Sequence, residues 1–174
     1  MMSAEKNRLE KMMLPEVKKN IEKTLKALAN TLKEIGEKID GLMEVSEIQQ
    51  KARVLMDIKG VGQILAATLL GQLLELGTLD NKKIAKLVGV ASIARESGGW
   101  RGQRSIQGGR AFVRKNLYMA TIVAMTHNTI IKDYYQGLLK RGKKGKVIIV
   151  AAMRKLLLIL NARMRNHLNG NKVS

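Results

Sequence analysis

A chain of 174 residues with 45 % apolar side chains can bury one medium core, or a core plus an extension, and the absence of cysteine excludes a disulfide framework and a thiolate metal site. One proline and 3 % aromatic residues leave Leu, Ile, Val, Ala and Met to build that core, which points to an all-α fold rather than a β-sandwich. A net charge of +18 argues for a polyanionic partner, and two isolated histidines, His127 and His167, argue against a metal cage.

The opening segment, "MMSAEKNRLEKMM", carries charge without a continuous apolar run and is not read as a signal peptide. From there Leu14, Ile21, Leu25, Leu28, Leu32, Ile35, Ile39 and Leu42 follow a 4-3-4-3 spacing broken only by Lys18. That spacing predicts a coiled-coil helix over residues 1–45, with Pro15 in its first turn. The seam at residues 14–42 needs a partner, either the chain folding back or a second copy.

"SEIQ" at residues 46–49 reads as a capping box, with Ser46 capping a helix that runs through Ala52, Leu55 and Met56 to Ile58. "KGVG" stops it, and the apolar segment "QILAATLLGQLLEL" restarts a buried helix whose Ala66, Ala67 and Gly71 allow close approach. Residues 46–76 therefore read as a helix-hairpin-helix. Gly60 and Gly62 permit the tight turn, and Val61 can tuck between the helices. The first amides of the second helix could bind a backbone phosphate. A plain structural turn explains the same glycines.

Asp80 is placed to cap a short helix, "NKKIAKLV", that ends at Gly89. The Gly/Arg loop, residues 95–110, follows and includes "SGGWRGQRSIQGGR". Periodicity then predicts helices near 110–127, 130–139 and 146–166. Val113, Leu117, Ala120 and Ala124 should share one buried face, "LYMA" should lie on that face, and Val147, Val150, Leu157 and Leu158 should belong to the last helix's buried set. The apolar segment "VIIVAAMRKLLLIL" is interrupted by Arg154 and Lys155 and is too short to span a bilayer.

Charge is unevenly spread. Residues 1–94 hold 15 Lys/Arg against 12 Asp/Glu, a balance of +3, whereas residues 95–174 hold 17 against 2, a balance of +15. Arg110 and Arg114 lie in the first turns of a helix, and Lys143, Lys144 and Lys146 open the last one. Cations there oppose the helix macrodipole. An external anion at both ends would relieve the conflict, so Arg101, Arg104, Arg110 and Arg114 read as phosphate contacts and the three lysines as a secondary patch. Among possible nucleophiles, Ser97 precedes two glycines that would let a phosphate approach. By itself such a serine is more often a turn residue. Tyr118, Tyr134 and Tyr135 read as packing residues.

"IKGVGQILAATLL", "IAKLVGVASIARESGGWRGQRSIQGGRAFVRKNLYMA" and "YYQGLLKRGKKGKVIIVAAMRKLLLILNA" carry a resemblance that extends over most of residues 10–165. They resemble the C-terminal transposase domain of the bridge-RNA-guided insertion-sequence recombinases, the DEDD class related to Piv-type DNA invertases. The resemblance implies a helical module at 46–174 whose Ser97 becomes covalently joined to DNA, with Arg101 and Arg104 stabilising the transition state. It implies DNA and a structured guide RNA as partners, a homo-oligomer held through residues 14–42, and a prokaryotic, cytoplasmic, nucleoid-associated location. Members of that family begin with a RuvC-like domain whose four acidic residues bind divalent metal. The expectation is that this chain lacks that domain, the twin start Met1–Met2 fitting a truncated reading frame or a cloned fragment. No metal ligand or cofactor is then assigned within the chain, and DNA cleavage by the chain alone is not expected. The alternative function is a non-catalytic nucleic-acid-binding or regulatory fragment. Strand transfer through Tyr118 or Tyr135 and a membrane-surface role for the last helix are the weaker readings.

Overall fold

Helix α1 (Pro15–Met43) starts at the proline, whose missing N–H falls where no intrahelical bond is made. In the computed structural model the described residues are 15–43, 46–92, 96–97, 100–101 and 106–170. They divide into two units at Val45/Ser46. The first unit is α1. Leu32 and Ile35 of its predicted seam are exposed at 58 % and 48 %, while Leu25, Leu28 and Ile39 are half-buried. Leu14 lies outside the described residues.

The second unit holds six further helices among the described residues. These are α2 (Ser46–Met56), α3 (Gln63–Gln72), α4 (Asn81–Val88), α5 (Ala111–His127), α6 (Thr129–Lys140) and α7 (Gly145–Gly170). Between α4 and α5 a short antiparallel pair, β1 (Glu96–Ser97) and β2 (Trp100–Arg101), sets Glu96 opposite Arg101 and Ser97 opposite Trp100. The fold is all-α, as composition requires, with this ladder lying inside what reads in sequence as loop.

Helix α7 is central and packs against α2, α4, α5 and α6, while α5 also packs against α3. Leu55, Leu69, Ile84, Leu117, Ile131 and Leu156 are fully buried there. Each such side chain contributes about 1.5–3 kcal/mol through apolar burial, so this unit has ample core of its own. The predicted face of α5 is correct: Val113, Leu117 and Ala124 are inaccessible and Ala120 nearly so. Asp80 also caps α4 as expected. Its Oδ1 accepts from the amides of Lys82 (2.8 Å) and Lys83 (2.9 Å), and Gly89 closes the helix in the left-handed region at φ 78°. Those amide bonds, that of Lys83 foremost, hold the Asp80 carboxyl below its usual range. The capping side chain expected at Ser46 lies outside the described residues.

Four expectations are corrected. Helix α3 ends at Gln72 and not at Leu76, because the turn after it buries both Leu73 and Leu76, leaving Leu74 outside at 78 % exposure. Gly71 is exposed with open space around it, so Ala66, fully buried, supplies the close approach without it. Val147 is 56 % exposed because the first turn of α7 turns the next residue, the fully buried Ile148, to the core in its place. Tyr118 and Met119 point outward, since the two positions between Leu117 and Ala120 on a 3.6-residue period face away from the core.

Candidate nucleic-acid interface

The turn from α2 to α3 is fixed from the α5 side. Gly60 has φ 99°, and a Cβ there would lie 2.6–2.8 Å from the Cβ, Cα and N of Ala124. Val61 is 6 % exposed, and Asn128 donates to the Lys59 carbonyl at 3.2 Å while accepting from the Ile131 amide. Glycine at position 60 thus follows from backbone packing alone. Gly62 is different. It is the N-cap of α3 at φ −95°, has no side-chain cap bond, is exposed, and has nothing within 4 Å of its missing Cβ.

The Gly/Arg loop has a closed base. On leaving α4, Val90 and Ala91 both donate to the Ala85 carbonyl, and on returning, the Arg110 amide donates to Leu87 O at 3.0 Å. Where the returning chain crosses α4, a Cβ on Gly109 (φ 71°) would come within 2.6 Å of Gly89 Cα. Only paired glycines let two backbones cross so closely. Arg114, half-buried, donates to the Gly108 carbonyl and to Val88 O at 3.3 Å, tying the crossing to the end of α4.

Arg110 corrects the expectation of an external anion at the start of α5. Its guanidinium grips Glu75 in bidentate fashion, with both N–H···O distances at 2.6 Å, and also donates to the Gln72 carbonyl at the end of α3. An internal carboxylate therefore offsets the unfavourable helix-end charge, and the planar fork is occupied. The hydrogen bond from Arg110 is the main reason the Glu75 carboxyl is held below the usual range, and the Arg110 guanidinium is raised in turn. A group whose pKa is depressed on folding stabilises above its unfolded pKa and loses that contribution as pH falls through the folded value. Glu75→Gln should therefore melt below wild type at neutral pH. The gap should begin to narrow at the ordinary carboxylate pKa and close below it, as thermal unfolding across an acid titration would show. A gap that persists at the acid end would mean that charge is not what the pair contributes.

The remaining basic residues are arranged differently. Lys143, Lys144 and Lys146 are all exposed, and α7 has no acidic residue in its first turn. Lys146 also borders a groove of about 650 Å³ between α5 and α7. Helix α5 contributes Ala111, Arg114, Lys115 and Tyr118 to it; α7 contributes Ile149, Val150 and Met153, and Ile106 closes one end. A second hollow of about 430 Å³ shares Ile106, Lys146 and Val150 with it and is lined by Val90 and Ser92, just past the end of α4. Lys115, which the sequence reading did not single out, and Tyr118, read there as packing, both line this groove. The available signal was their i, i+3 spacing, off the row of Val113, Leu117, Ala120 and Ala124.

The structure thus brings Arg114 and Lys146 to one groove and engages Arg110 internally, with the Gly60–Val61–Gly62 turn at the other end of α5. The side chains of Ser97 and Arg101, and all of Arg104, lie outside the described residues. Among the described residues no group of three or more His, Cys, Asp or Glu could hold a metal ion, and no helix is long and apolar enough to cross a membrane.

Residues 52–136 match the family described as Transposase IS116/IS110/IS902, a stretch running from α2 through the turn into α3, the Gly/Arg loop and α5 into α6. That match supports a role in transposition. Comparison with curated proteins gave no match.

Proposed function

We propose that the chain is the DNA-binding, serine-bearing part of a transposase of the site-specific recombinase type. The transposase-family match across residues 52–136 carries this reading. The closed base of the Gly/Arg loop supports it, because a nucleophile on a loop needs attachment points that do not shift. Ser97 Oγ attacks a DNA phosphorus. A serine–phosphate ester forms, the bond from phosphorus to one sugar oxygen breaks, and the serine proton ends on that oxygen through solvent. One phosphodiester replaces another, so no external energy source is required. Arg101 and Arg104 stabilise the charge on phosphorus as oxyanion-hole donors do, while Arg114, Lys143, Lys144 and Lys146 bind flanking phosphates. A second copy pairs with α1, for which the exposure of Leu32 and Ile35 is the support. A structured guide RNA is a further partner on this reading, and the acidic, metal-binding half of the active site lies in a separate RuvC-like domain.

Two measurements test this. Binding to duplex DNA should weaken on the order of a thousandfold between about 50 and 200 mM salt if six or more phosphates are engaged. When a RuvC-like domain and divalent metal are supplied, wild type should form a covalent protein–DNA adduct. Ser97→Ala should bind equally well and form none. Adducts that survive Ser97→Ala would remove the serine from the mechanism. Adducts in neither form would make the chain a non-catalytic DNA-binding unit.

A further inference from the structure

We infer that the groove between α5 and α7 receives one unstacked nucleobase from a DNA strand whose backbone phosphates lie on Lys115 and Lys146. This rests on the DNA-binding reading above and adds to it a contact with the base itself.

The composition of the groove selects the occupant. Its floor is apolar, formed by Ile149, Val150 and Met153, with Tyr118 at one wall and 42 % exposed. Its rim is cationic, and no Asp or Glu is among the described residues that line it. The positive rim calls for an anion, whereas the apolar floor and aromatic wall call for a flat, poorly hydrated surface beside it. A nucleotide joins those two properties within one residue. The volume, about 650 Å³, falls in the range of pockets that enclose small planar ligands.

Spacing makes the site a property of two rigid elements. Lys115 and Tyr118 are one helical turn apart on α5, and Lys146, Ile149 and Val150 follow the same rule on α7. Arg114 borders the groove with its Nη1 held by the Val88 and Gly108 carbonyls, and has no carboxylate partner among the described residues. A fully paired duplex keeps its bases stacked and cannot fill such a hollow, while a nucleotide in a bulge or a single strand can. The neighbouring hollow, which shares Ile106 and Lys146 and reaches Ser92, would take that nucleotide's strand toward the base of the loop carrying Ser97.

The test uses the whole chain and three DNA probes of equal length: a paired duplex, the same duplex with a one-nucleotide bulge containing 2-aminopurine, and a single strand. Wild type should prefer the bulged and single-stranded probes and should change the 2-aminopurine fluorescence on binding. Tyr118→Ala should weaken those two probes by about 5- to 150-fold, the range expected for one stacked base, with duplex affinity within about twofold of wild type. Tyr118→Phe should keep the preference. Lys115→Gln and Lys146→Gln should each lower the salt slope by about one for all probes. Equal weakening of all three probes by Tyr118→Ala, or no weakening of any, would overturn the base pocket, and so would unchanged 2-aminopurine fluorescence. Salt-dependent duplex binding would then still stand, leaving the DNA-binding reading intact. If wild type binds none of the probes, both fall.

Discussion

Gly60→Ala is expected to destabilise the helical unit by about 2–5 kcal/mol, combining a left-handed backbone conformation with overpacking against a helix. The obstacle is backbone: the new methyl would lie 2.7 Å from Ala124 Cα and 2.8 Å from its nitrogen, so no rotamer change relieves it. Either α5 moves away from the turn, or the turn opens and Asn128 loses the Lys59 carbonyl. The companion substitution supplies the contrast. Gly62→Ala places a methyl in open space at φ −95° and should cost within about 1 kcal/mol, the difference between glycine and alanine at an N-cap. Urea unfolding of the two variants would separate them. Equal effects would mean that the Ala124 contact does not shape the turn. DNA binding by a stable Gly62→Ala would then report on the α3 amides without interference from folding.

The second large effect is expected at Asn161, which is fully buried in α7. Its Oδ1 accepts from the Gly77 amide at 2.8 Å, and its Nδ2 donates to the Leu79 carbonyl at 2.9 Å and to Asn81 Oδ1 at 3.4 Å. These bonds hold the turn between α3 and α4, in which Gly77 has φ 88°. Arg165, one turn further along α7, also donates to Leu79 O at 2.5 Å. Asn161→Ala leaves that carbonyl paired but orphans the Gly77 N–H and opens a cavity. A cost of about 3–5 kcal/mol follows from an unsatisfied buried donor added to lost volume. The urea midpoint should fall with little change in slope. A loss under about 1 kcal/mol would show that Arg165 alone secures the turn.

Local rules made much of this fold readable. The side chain of Asp80 and the left-handed Gly89 end α4 where sequence puts them, and the buried row Val113–Leu117–Ala120–Ala124 follows from period alone. The departures have physical causes. "LYMA" is apolar throughout, but only Leu117 and Ala120 fit the inward phase, which left Tyr118 free to form a wall of the groove. Helix electrostatics showed that α5 needed an anion near Arg110. They could not show that Glu75, 35 positions earlier, supplies it, because that pairing depends on how α3 and α5 pack. Gly108 and Gly109 read as loop glycines, yet the second is required by a backbone crossing visible only once α4 is in place. The role assigned to Ser97 came from resemblance and not from its own neighbourhood, since a serine beside glycines is chemically unremarked until its surroundings are known.

The two ends of the segment between Val90 and Gly108 are anchored on the same last turn of α4, through Ala85 O on one side and Leu87 O on the other. The last turn of α4 thus sets the spacing of the two stems. The entropic cost of a longer loop between stems at fixed spacing grows only logarithmically. Lengthening the chain between those stems therefore costs little stability beside the loss of either anchoring carbonyl.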